Sequence, residues 1–171
     1  MELNTKLVGH DLSSERDLYV LAIESASELP RKFAIQSARF VCLLAWDARD
    51  VSDEEIAALA RKLLQAGAVY VSTWGSDCER VHDIIDTFDV LLHPEPIDDR
   101  VIMTTWHDTD SLQEALWFVL NCTWPAGIYS EGCDATVAIS IANAGWASEI
   151  LDAFSDPSSI SASGDSEAHL P

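Results

Sequence analysis

The sequence predicts an α/β fold: one doubly wound domain with a mainly parallel sheet of about four to five strands. Two observations carry the prediction. Three segments, Phe40 to Trp46, Ala68 to Trp74 and Val101 to Trp106, have strand length and run almost continuously apolar instead of alternating, which suits parallel strands covered on both faces. Each is followed by a stretch with apolar residues at helical spacing, so strand and helix alternate along the chain.

In chain order, the first forty residues are the least regular. DLYVLAI from Asp17, continued through ESASEL, is read as a helix capped by Ser13 or Ser14 and ended by Pro30, with an additional strand as the alternative. Residues 1–39 are expected to form an extension packing on an α/β domain of residues 40–154. After the first Trp-ended strand, Ile56, Leu59, Ala60, Leu63 and Leu64 make one helical stripe and Gly67 supplies the stop. Val81, Ile84, Ile85 and Phe88 do the same after the second. SLQEALWFVLN, after the third, is apolar almost all round and is expected to be well buried. A further strand, ATVAISI from Ala135, leads through Asn143 and Gly145 into a final helix, GWASEILDAF. The connection HPEPIDD from His93 reads as irregular. The small, polar, acidic tail of residues 155–171 reads as disordered. The alternation is of the Rossmann-like or flavodoxin-like kind, with right-handed crossovers expected.

Composition narrows the function classes. With 171 residues, 48% of them hydrophobic, the chain can build one sizeable core. No window approaches the ~18 uninterrupted apolar residues of a membrane span, and the first residues lack a secretory h-region, so the expected location is the cytoplasm and no membrane partner is expected. Cys42, Cys78, Cys122 and Cys133 form no CxxC pair and are expected to be reduced. The net charge is −19, and from Val101 onward there are ten acidic residues and no Lys or Arg. A groove tracking a phosphate backbone has nothing to build it from in that half, which argues against direct nucleic-acid binding. An acidic surface suits basic proteins, cations or simple solubility.

The three Trp-ended strands would place their ends at one edge of the sheet, where open α/β folds bind ligands. Each following helix opens with a capping-box pattern: Ser52 with Glu55, Ser76 with Glu79, Ser111 with Glu114. Many of the acids there, including Asp53, Asp77 and Asp110, are explained as first-turn residues complementing the helix dipole. Asp47 and Asp108, which precede the caps, are not. With carboxylates already at the helix starts, and Arg49 and Arg80 the nearby bases, the edge is suited to a cation and not to an unaccompanied phosphate.

Two readings follow. In the first, Trp46, Trp74 and Trp106, with Asp77 and its neighbours, receive an ammonium or guanidinium group from a small cationic ligand or a basic protein segment. The chain is then an acidic interaction protein with no cofactor, an inhibitor of a basic toxin or nuclease being one concrete version. In the second, Asp47, Asp108 and Asp110 converge on Mg²⁺ or Mn²⁺, provided the first and third Trp-ended strands are neighbours. His107 then acts as general base in hydrolysis or phosphoryl transfer. Cys78 and His82, one helical turn apart, are a further nucleophile and base pair, although Asp77 and Glu79 oppose formation of the thiolate. Trp124 and Tyr129, between Cys122 and Cys133, offer a loop patch for a partner or a lid. No Walker loop, GxGxxG, GxSxG or HExxH occurs, and the Asp108-Thr109-Asp110 DxD lacks the companion motifs of haloacid-dehalogenase-like phosphatases and toprim domains. The first reading is preferred.

Overall fold

A computed structural model describes residues 5–95 and 100–161. Its centre is a six-stranded sheet of order β1-β2-β6-β3-β4-β5. The strands are β1 (Lys6–Asp11), β2 (Arg16–Ile23), β3 (Phe40–Ala45), β4 (Ala68–Trp74), β5 (Met103–His107) and β6 (Ala135–Ile141). All neighbours run parallel except the β1–β2 hairpin. The apolar runs at β3 and β6 are buried along their whole length, as parallel strands covered on both faces require.

Successive residues of β3 feed opposite cores, as do those in the middle of β6. Cys42, Leu44, Val71, Val137 and Ile139 pack under α1 (Asp53–Gln65) and α2 (Cys78–Leu92), against Ile56, Leu59, Leu63, Val81 and Ile85. Val41, Leu43, Val69 and Ala138 face α3 (Leu112–Asn121) and α5 (Ala144–Ser155), against Leu116, Val119, Ile150 and Phe154. A one-turn α4 (Gly127–Ser130) lies in the connection to β6. Each fully buried Leu, Ile or Phe contributes roughly 1.5–3 kcal/mol of transfer free energy, so two such layers hold the sheet between them.

The helix expected at DLYVLAI is a strand. The residues 1–39 expected as an extension instead supply β1 and β2 to the sheet itself. Two physical causes converge. Leu18, Tyr19, Val20, Leu21 and Ile23 are all buried, which one helical stripe could not achieve. Ser13 and Ser14, expected as helix caps, are spent on the hairpin turn. The Asp11 carboxylate accepts from both their amides and both their hydroxyls (2.6–3.3 Å), and Glu15 takes φ 59° to close it.

The start of β2 also anchors the loop that returns from α3. Arg16, 4% exposed, donates to the Thr123 carbonyl (2.8 Å) and hydroxyl (3.2 Å), and its guanidinium lies 5.5 Å from the Trp124 ring centre. Tyr129 is covered by Arg39 in the same way at 5.3 Å. Both aromatics expected as a loop patch are thus engaged by arginines of the chain, Trp124 remaining 60% exposed on its other side. All four cysteines are free. The tail expected as disordered from residue 155 begins in regular structure: α5 runs through Ser155, and Pro157–Ser159 form a 3-10 turn. Residues 162–171, and 96–99 of the irregular connection, lie outside the described residues. No helix among the described residues is long and apolar enough to cross a membrane.

Candidate functional site

The crossovers decide where a crevice can open. The helices after β3 and β4 cover one face of the sheet, and those after β5 and β6 cover the other. The chain therefore diverges between the adjacent strands β3 and β6, and the space beyond their carboxyl ends is the switch point where open sheets bind ligands. A crevice of about 310 Å³ lies there, lined by Trp46, Asp47, Asp50, Asn143 and Trp146 together with Ile141 and Ala142. Ala142 takes a left-handed φ of 56°, a conformation that costs an L-residue about 1–2 kcal/mol. Its amide still donates to the Ile23 carbonyl (2.8 Å), tying β2 to the crevice wall.

Trp146 is shared with a second, smaller hollow of about 220 Å³ bounded by Trp74, Gly75, Ser76, His107, Asp108 and Asp110. The Trp74 and Trp146 rings meet edge to face (centroids 5.0 Å apart, 80°), a favourable arrangement of aromatic quadrupoles. Trp74 Nε1 donates to the Asp110 carbonyl (2.8 Å), so this partition is fixed from both sides.

Sequence-predicted capping boxes take three different forms. Ser111 and Glu114 make the complete reciprocal pair (3.2 and 2.7 Å). Ser52 accepts from the Glu55 amide (3.2 Å). Ser76 does not cap α2. Its helix begins after Asp77, which sits at φ 64° and makes no side-chain cap. The cause is a close approach of two loops: Gly75 takes φ 116°, and a Cβ there would lie 2.2 Å from the Trp46 carbonyl oxygen. Trp46 N donates to the Trp74 carbonyl and Ala48 N to the Ser76 carbonyl (both 3.0 Å), zipping the ends of β3 and β4 together. Arg80 clamps the pair, donating to Asp77 (2.7 Å), Asp53 (2.5 Å) and the carbonyls of Ala48 and Val51 (2.6 and 3.1 Å). Asp77, expected as a ligand-binding acid, is therefore a partner of Arg80.

The expected three-tryptophan cage does not form. Trp46 is 5% exposed, Trp74 stands against Trp146, and Trp106 lies on the opposite face of the sheet, packed on His82 of α2 at 4.7 Å between ring centres. Register explains the difference: Trp74 pairs with His107, and Trp106 with Thr73. One residue of offset sends a side chain to the other face.

The expected metal triad does not converge either. β4 lies between β3 and β5, so Asp47 and Asp108 follow strands about 10 Å apart and line different hollows. Asp47 is held bidentately by Arg49 (2.6 and 2.9 Å), whose hydrogen bond keeps its carboxyl below the usual range. The Asp110 carboxylate accepts from His107 Nδ1 (2.7 Å), and His107 Nε2 reaches the Thr105 hydroxyl (3.2 Å), which meets Ser72 (2.9 Å). Both nitrogens of this buried imidazole are engaged within the chain, by a carboxylate on one side and a hydroxyl on the other. No group of three or more His, Cys, Asp or Glu side chains among the described residues could hold a metal ion. Cys78, expected as a nucleophile, is 1% exposed, and burial pushes its thiol up, with Asp108 and Asp77 adding to the shift. His82 is occupied by Trp106, Asp83 (3.0 Å) and Asp86 (3.6 Å).

Of the sequence-predicted residues, Trp46 and Asp47 thus line the switch-point crevice, and Trp74, His107, Asp108 and Asp110 line the hollow beside it. Asn143, which lines the crevice, and Trp146, which lines both, carried only the signal of a helix start: the Asn143 side chain accepts from the Trp146 amide at 3.0 Å.

The layers and crevice define a doubly wound α/β protein with an acidic, tryptophan-lined pocket at its topological switch point. More particularly, the chain belongs to the family described as "Domain of unknown function (DUF7684)", whose model matches residues 18–157 and so spans β3 to β6 and most of β2. No curated protein and no solved structure matches the chain.

Proposed function

We propose that this protein is an acidic binding protein of the cytoplasm whose switch-point crevice receives a cationic group, carried by a small molecule or by a basic protein segment. The observation that supports the reading is the crevice lining: Trp146 supplies aromatic surface beside the largely buried Trp46, and Asp50 supplies a carboxylate next to the Arg49-bonded Asp47. The two arginines of the neighbouring loops are already bonded, Arg49 to Asp47 and Arg80 to Asp77 and Asp53. A guanidinium or ammonium ion between an aromatic face and a carboxylate gains about 0.5–2 kcal/mol from the ring alone, more as water is excluded. An anion entering the same space meets unfavourable charge, and the chain's −19 reinforces the discrimination at long range.

The test is a fluorescence titration with an arginine-rich peptide in a Trp106→Phe/Trp117→Phe/Trp124→Phe background, which leaves Trp46, Trp74 and Trp146 beside the crevice as the reporters. It is run at an ionic strength of about 0.15 M, where the Debye length is about 8 Å and diffuse attraction is weak. The expected result is a saturable change, weakened about tenfold by Asp50→Asn and lost in Trp146→Ala, with the fold retained by circular dichroism. Equal responses in all three proteins would refute the crevice as the binding site.

A further inference from the structure

The two edges of the sheet are built differently. β1 carries the protections that natural edge strands use: a register break between Leu7 and Gly9, a charged Lys6, and cover from α5, whose Phe154 carbonyl comes so close that a Cβ at Gly9 would lie 2.1 Å from it. β5 has neither the register break nor the charge, although α2 packs on one of its faces. MTTWH contains no Lys, Asp, Glu or Pro and pairs in unbroken register with β4. Among the described residues no strand pairs with its outer side.

Apolar surface collects along the same border. Of the ten large hydrophobic residues exposed among the described residues, six belong to the end of α2 and to β5 with its approach: Val90, Leu91, Leu92, Val101, Met103 and Trp106. Val90 and Leu91 are each 67% exposed, and Trp106 is 44% exposed. The end of α2 is fixed against the start of β5 by Ile102 N donating to Asp89 (3.4 Å) and by the Thr104 hydroxyl donating to Asp86 (2.5 Å). The face that α2 presents beside β5 is acidic, with the Asp83 and Asp86 side chains 69% and 49% exposed. From Val81 to the C-terminus Arg100 is the one basic residue.

We infer that β5 is a docking edge for an extended segment of a basic protein, which adds as a further strand and alternates Lys or Arg with apolar residues. Main-chain hydrogen bonds to β5 supply affinity that does not depend on side-chain identity, and alternate side chains supply selectivity. Residues of the added strand that face α2 bring their cations to Asp83 and Asp86 and over the Trp106 ring; the residues between them are apolar and lie beside Met103. Charge decides against a second copy of this chain. Pairing two β5 edges about a two-fold axis would set the Asp83 and Asp86 carboxylates of both copies along one seam, with −19 on each partner and no Lys or Arg on α2 beyond Arg80 to offset them. This edge is separate from the switch-point crevice, and either can fail alone.

The test uses a pool of nine-residue peptides in which Lys or Arg alternates with Val, Ile, Leu or Phe, and a matched pool carrying Glu, against the full chain at an ionic strength of about 0.15 M. Binding is read by calorimetry and located by amide hydrogen exchange. The expected result is saturable binding of basic peptides with new protection at residues 103–107, about tenfold weaker in Asp83→Asn/Asp86→Asn and absent in Trp106→Lys, which installs an edge-blocking charge. Asp50→Asn should leave the protection at residues 103–107 unchanged. Because Asp86 also holds Thr104, Asp83→Asn alone is measured as well and should weaken binding in the same direction. Absence of binding across the basic pool, equal binding of the Glu pool, or protection confined to the crevice loops would each overturn the inference. So would a β5-protected homodimer in sedimentation at micromolar concentration.

Discussion

Asp11 shows how one carboxylate shapes the chain's first turn. Burial raises its pKa, but bonds from Ser14 and Ser13 outweigh burial and hold it below 3.8 in the folded protein. A depressed folded pKa stabilises the fold above the unfolded value, and that contribution is lost as pH falls through the folded one. Asp11→Asn should therefore cost about 1–2 kcal/mol near neutral pH, and the gap between variant and native urea midpoints should close as pH falls below about 4. A gap that stays constant with pH would show that the bonds, not the charge, carry the effect. Gly75 is the other residue on which local geometry turns. Its φ of 116° lets the β4–α2 loop lie against the Trp46 carbonyl, and that contact is what moves the start of α2 from Ser76 to Asp77.

At the scale of elements, that displacement has a measurable consequence. Ser111 completes a capping box at α3, whereas the same sequence pattern at Ser76 caps nothing. Ser111→Ala should destabilise the protein by about 1 kcal/mol and Ser76→Ala by only a few tenths, measured as the shift in urea midpoint at constant m value. Equal losses would mean that Ser76 caps α2 in solution. The contrast also shows how far caps are legible in sequence. The pattern Ser-x-x-Glu states what a helix start can do, and the preceding loop, here pinned by Gly75 and Arg80, states whether it does so. β2 differs from its sequence expectation for a related reason: Asp17 to Leu29 has enough apolar residues for a helix, but the strands that flank it, β1 and β6, lie in other parts of the chain.

For the whole molecule, a net charge of −19 on 171 residues means that the folded state works against its own repulsion. Raising ionic strength from about 0.01 M to about 0.15 M shortens the Debye length from about 30 Å to about 8 Å, and Tm should rise over that interval at neutral pH. A Tm independent of salt would indicate that the local pairs, such as Arg80 with Asp53 and Asp77, already compensate the excess. The sequence by itself determined the strand and helix alternation from β3 to α5, the two-faced burial of the sheet, and the shortage of basic residues at one edge. These are properties of periodicity and composition within a few dozen residues. Only the tertiary structure decided that β6 inserts between β2 and β3, and that β4 separates Asp47 from Asp108. That insertion places Asn143 and Trp146 opposite Trp46 and Asp50, because strand order depends on which distant apolar faces bury one another, and no local pattern carries that information.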